Sequence, residues 1–136
     1  MDLNGLLAAN EGLLADTIGI EFPEGGEKGA GFLRAQLVLE RKHFAGNGFV
    51  HAGTVVTLAD TACGYGCVLN LPDDAYAFTT LELKSNFLRT VGEGTIVCDA
   101  RLVHGGRTTQ IWDAEVRTPD GKPMALFRCT QLILRA

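Results

Sequence analysis

This sequence predicts an α+β fold in which a curved antiparallel sheet wraps one long apolar helix. Three observations carry that expectation. The stretch from Asn47 to Asn70 is mostly small and apolar and has helical spacing. One strand-like run precedes it and four follow. Finally, no Lys, Arg or Glu occurs between Phe44 and Leu71, and Asp60 is the one acid there. A solvated helix would carry several charges, so this helix is expected inside the domain.

Within the helix, Ala52, Val55, Val56, Ala59, Ala62, Cys63, Gly66 and Cys67 form the apolar face. Side chains this small let a helix approach a sheet closely. Thr57, Asp60, Thr61 and Gly64 form a narrower second stripe. Asp60 is therefore expected to be partly buried at a functional or subunit interface.

The other elements follow in order. Leu3, Leu6, Leu7, Leu13 and Leu14 predict one short amphipathic helix between Asp2 and Asp16, weakened by Gly5 and Gly12. Phe22 to Gly31, rich in Gly and Glu, reads as a loop. From Phe32 to Glu40, Leu33, Ala35, Leu37 and Leu39 alternate with polar neighbours, which predicts a strand with one covered face. Pro72, Asp73 and Asp74 end the helix. The later strands are expected at Ala77–Leu88, Gly94–Val103, Arg107–Arg117 and Lys122–Leu134, forming a meander. Gly105-Gly106 and Pro119-Asp120-Gly121 mark hairpin turns within it. One sheet on one helix leaves a face uncovered, so a second copy of the chain is expected to cover it.

The 136 residues suffice for a single domain, 1–136, with 1–21 as an N-terminal helix and approach loop. A net charge of −4 argues against nonspecific nucleic-acid binding. No apolar run approaches the roughly 20 residues of a membrane span. No basic-then-apolar leader is evident at the N-terminus, so the expected location is cytoplasmic. Cys63, Cys67, Cys98 and Cys129 form no paired C-x-x-C, and His43, His51 and His104 are scattered. The cysteines are read as small buried hydrophobes and no metal site is expected.

Gly48-Phe49-Val50-His51-Ala52-Gly53 followed by Leu58-Ala59-Asp60-Thr61-Ala62 resembles the hotdog-fold thioesterases of the PaaI-like (phenylacetic acid pathway) family. The run Thr80 to Arg89 resembles that family's second strand, and Gly105-Gly106-Arg107-Thr108 its glycine-basic hairpin. The resemblance covers roughly Leu33 to Leu132. It implies a hydrolase of acyl-coenzyme A thioesters, with no cofactor besides the coenzyme A of the substrate, built as a homodimer or homotetramer. Asp60 would be the nucleophile or general base, and the Ala52 N–H would polarise the thioester carbonyl. Thr80 would hold the water or carboxylate. Asp60 and Thr80 of one subunit would face Asn47, His51 and Ala52 of the other. Many relatives carry Gln or Asn six residues before the histidine; here that position is Ala45, and the nearest amide is Asn47.

Each candidate also has a plainer reading. In it His51 only positions the helix start, Asn47 is a turn residue, and Thr80 is an ordinary strand residue. Arg89 and Arg107 adjoin Gly-rich turns and, with Gly105, Gly106 and Thr108, are the residues expected to meet coenzyme A phosphates. Two rival functions remain at this stage. One is a dehydratase or hydratase of acyl thioesters with His as base; the other is a noncatalytic acyl-CoA-binding domain.

Overall fold

The computed structural model describes residues 1–136. Two short helices, α1 (Leu3–Ala9) and α2 (Leu14–Ile18), lead into β1 (Glu21–Gly25) and β2 (Phe32–Val38). A 3-10 turn at Arg41–His43 precedes the long helix α3 (Ala52–Leu69). Strands β3 (Ala75–Phe87), β4 (Thr95–Gly105), β5 (Thr109–Arg117) and β6 (Pro123–Arg135) complete the chain. All six strands form one antiparallel sheet in the order β1-β2-β4-β5-β6-β3, with α3 packed across it. This is the hotdog arrangement.

Alternation sets the inner face. Ala35 and Leu37 of β2, Ile96, Cys98 and Ala100 of β4, and Trp112 and Val116 of β5 are buried in one core with α3, and Leu33 is buried on the same face of β2. The close approach expected from small residues is present. A Cβ added to Gly66 would lie 2.6 Å from the Trp112 ring, and one on Gly64 would lie 3.1 Å from Phe78. At 2.6 Å something would have to move, so Gly66 sets how deep the helix sits. All four cysteines are free and buried. Burial pushes the Cys67 thiol up to about 12, in keeping with a packing role.

Four expectations need correction. The N-terminal helix is two helices, because Asn10 to Gly12 turns the chain and Gly12 has φ +76°. The predicted loop contains β1, whose pairing with β2 supplies backbone bonds that its Gly/Glu composition conceals. The strands after α3 are not one meander. Only β4, β5 and β6 are, while β3 crosses to the far edge beside β6. On α3, Ala52 is exposed and Val56 only partly covered, whereas Leu58, Gly64 and Leu69 are buried, because the contact face rotates toward the curved sheet. α3 is long and apolar enough to cross a membrane by length and composition, but half of it is buried within the domain.

Candidate active site

The turn before α3 is held by its own backbone and by Asn47. Ala45 N–H donates to Phe49 O at 2.7 Å, and Phe49 N–H donates to Asn47 Oδ1 at 3.0 Å. The Asn47 side-chain oxygen thus serves its own loop, in the manner of an Asx turn. Gly48, at φ +86°, supplies a left-handed conformation that the turn requires.

His51 is the N-cap of α3. Its Nδ1 accepts from Gly53 N–H at 2.7 Å. With that lone pair engaged, the neutral ring carries its proton on Nε2, so it can donate a hydrogen bond outward but has no lone pair left for a base. Thr54 Oγ1 donates to His43 O at 2.9 Å, tying the first turn of the helix to the 3-10 turn. His43 is itself buried, with Nδ1 accepting from Glu40 N–H and Nε2 donating to Ile18 O. Ala52 N–H has no protein acceptor. It is a helix-terminal donor, and the partial positive charge of the helix end favours an anion there.

Asp60 is half-buried, and its Oδ1 is shielded from solvent without a hydrogen-bond partner. Burial raises its carboxyl above the ordinary Asp range. A shielded carboxylate oxygen with no donor costs stability and usually has a reason beyond packing.

The relative direction of α3 and β3 sets Thr80 level with Asp60 along the two elements. The start of α3 lies near the far end of β3, since Val50 N–H donates to Thr90 Oγ1 at 2.9 Å, while Gly64 sits against Phe78. Helix and strand therefore run in opposite directions. Asp60 is one turn before Gly64, about 6 Å along the helix. Thr80 is two residues beyond Phe78, about 7 Å along the strand in the same direction. Thr80 lies opposite Gln131 on the helix-facing side of the sheet, and its Oγ1 donates to Gln131 Oε1 at 2.7 Å.

Other candidates are kept apart within one chain. Ala52 and Asp60 are eight residues apart on one helix, about 12 Å along its axis. Arg89 lies just past β3, where Leu88 N–H donates to Met124 O. Arg107 lies at the other end, where its carbonyl accepts from Arg135 Nη1 at 2.6 Å and Arg135 pairs opposite Ala75. The intervening length of β3 is about 40 Å, so one coenzyme cannot meet both arginines of one chain. Gly105, Gly106, Arg107 and Thr108 do form the β4–β5 hairpin, with Gly106 N–H donating to Thr109 O at 2.9 Å and Thr108 O accepting from Ile133 N–H at 2.8 Å.

Sequence reasoning missed Gln131. The signal was available: it interrupts the inward row Phe127, Cys129, Ile133 of β6 with an amide. A polar side chain in a covered strand face demands a partner, and Thr80 is that partner.

The profile of the thioesterase superfamily matches residues 47–125, which include Asn47, His51, Ala52, Asp60, Thr80, Arg89 and the Gly105–Thr108 hairpin. A 1,4-dihydroxy-2-naphthoyl-CoA hydrolase of Listeria monocytogenes is 32% identical over 117 residues, covering 86% of this chain and 92% of that protein. The thioesterase PA1618 of Pseudomonas aeruginosa, solved as a Gln-to-Ala mutant, superposes with a TM-score of 0.90 at 29% identity, covering 100% of this chain and 96% of the other. The E. coli PaaI protein from the phenylacetic acid degradation operon superposes with a TM-score of 0.82 at 26% identity, covering 96% and 91%.

Proposed function

This chain belongs to the thioesterase superfamily and is a thioester hydrolase, and we propose that it cleaves acyl-coenzyme A thioesters with Asp60 as nucleophile or general base, in a site completed by a second copy of the chain. The observation that carries this reading is the shielded, unpartnered Asp60 Oδ1, level with Thr80 along α3 and β3. An acid held that way is suited to take a proton from water or to attack a carbonyl.

The 12 Å between Asp60 and the Ala52 N–H favours two subunits. The outer edge of β3 has no neighbour in the sheet, and Tyr76, Leu81, Leu83 and Phe87 are exposed along it. If β3 pairs with its own copy about a two-fold axis, the end bearing Arg89 and the start of α3 meets the end bearing Arg107 of the partner. Such a pairing accounts for the separation of Arg89 from Arg107. In that assembly Arg89, Arg107 and the hairpin would bind coenzyme A phosphates. A tetramer would be two such dimers. Four free cysteines agree with the cytoplasmic location proposed with this reading.

The occupied Nδ1 of His51 disfavours dehydration, because that chemistry needs the ring as a base. His51 is assigned to positioning the helix start.

Subunit mixing tests the proposal. Ala52→Pro removes the donor and keeps the helix, since proline is accepted at the first helical position and His51, at φ −61° and ψ 132°, has the backbone a following proline needs. Asp60→Asn and Ala52→Pro should each lose acyl-CoA hydrolysis, followed by thiol release, and a mixture after subunit exchange should recover activity, because one of the two sites in a mixed dimer is whole. No recovery, with dimers intact, would defeat the two-subunit site. Tight product binding with no thiol release from the unmodified protein would instead support a noncatalytic binder.

A further inference from the structure

We propose that Gln131 is a positioning residue for the hydrolysis, orienting the Thr80 hydroxyl so that Thr80 can only accept a hydrogen bond from the attacking water. This rests on the thioesterase reading with Asp60 and Thr80 in one site.

Gln131 is fully buried on β6, within the apolar inner face of the sheet. Its two amide atoms have different neighbours. Oε1 receives the Thr80 hydroxyl at 2.7 Å, and Nε2 lies 3.4 Å from Cys129 Sγ. The Thr80 hydroxyl has one proton, and that proton is committed to Gln131. Its lone pairs are what remain for the site.

Asp60 offers only acceptor oxygens when ionised, and its Oδ1 has no donor in the protein. Two acceptors in one site suit a species with two protons to give. A water molecule donating one proton to Thr80 Oγ1 and the other to Asp60 directs its remaining lone pair away from both, toward a bound acyl carbon. Asp60 then takes one water proton as the new C–O bond forms. The C–S bond breaks with its electron pair on sulfur, and the proton on Asp60 passes to the departing thiolate. The products are the free acid and coenzyme A thiol. If the Thr80 proton were free to turn, Thr80 could donate to the water and compete for the lone pair needed for attack. Gln131 removes that option.

Gln131→Met keeps the volume and removes the acceptor. It should lower kcat for acyl-CoA hydrolysis about tenfold with KM within twofold. Thr80→Val should lower kcat at least as far. Adding Gln131→Met to Thr80→Val should cost nothing more, because Gln131 acts through Thr80. Gln131→Glu is the same shape, restores an acceptor and brings a second acid toward Asp60. It should recover kcat to within about threefold at neutral pH and move the acid limb of the pH–kcat profile upward. If the Met variant does not fold, the Glu variant and the Thr80 variant carry the test. A Gln131→Met enzyme with unchanged kcat, an additive loss in the Thr80→Val background, or an unmoved acid limb in Gln131→Glu would overturn the assignment. Asp60→Asn measured in parallel separates this from the wider reading. If Asp60→Asn is inactive while Gln131 variants are normal, only the role of Gln131 fails; if the unmodified protein cleaves no acyl thioester, both fail.

Discussion

The two edges of the sheet are built oppositely. β1 is five residues long, contains Pro23, pairs irregularly with β2 and carries exposed Glu21 and Glu24. Its one large apolar residue, Phe22, turns inward and stacks on Tyr65, with ring centroids 5.0 Å apart. These features blunt an edge against further pairing. β3 is thirteen residues long, has no proline and exposes Leu81, Leu83 and Phe87. A long apolar edge left open is a pairing surface. In the proposed assembly, the edge that pairs would also be the one that carries the chemistry.

The largest expected effect tests whether the chemistry belongs to that edge. Asp60→Asn should lower kcat about 10²- to 10⁴-fold, the range for a positioned base. It should not lower thermal stability. Burial raises the folded-state pKa of Asp60 above its unfolded value, so the native state binds more protons through that window and stability falls as pH rises through it. At neutral pH the ionised Asp60 is a cost to folding, and the Asn variant should melt at the same temperature or higher. The same raised pKa places the acid limb of kcat above the usual Asp range. A near-normal kcat in Asp60→Asn would make Asp60 structural.

Leu83→Lys sets a charge on the open edge and should shift the protein toward monomer by light scattering, with loss of activity at low micromolar concentration. Glu24→Ala on β1 removes an exposed ion pair to Arg34 and should change neither. Equal behaviour of the two variants would erase the distinction between the edges.

Arg107→Ala should raise KM several-fold and leave kcat nearly unchanged, the signature of lost uniform binding. A tenfold fall in kcat at constant KM would assign Arg107 to the chemistry.

The smallest effect lies on the outer face, away from both edges. Asp99 is paired with Arg34 Nε at 2.6 Å and with Arg117, and these partners hold its carboxyl down to about 2. Its folded pKa is below the unfolded one, so its contribution is present above about pH 4 and is lost as pH falls toward 2. With partly exposed arginines that contribution is about 1 kcal/mol. Asp99→Asn should therefore lower urea stability by about that much at pH 7 and by little near pH 2.

Much of this molecule was determined by local sequence. The apolar helix, the alternating strands and the turns at Gly105-Gly106 and Pro119-Gly121 follow from periodicity and turn chemistry, which act over a few residues. Asp60 stood out for the same reason, as one acid in an uncharged stretch. Other features were decided only by tertiary structure. Gly- and Glu-rich residues became β1 because β2 offered a free edge, and β3 joined β6 across the sheet, although its own alternation fits any neighbour. Gln131 met its hydrogen-bond partner when the β3–β6 register set it opposite Thr80, fifty-one residues away. The separation of Arg89 from Arg107 likewise depends on strand order. Periodicity records which face a residue presents, whereas long-range pairing decides what it meets there.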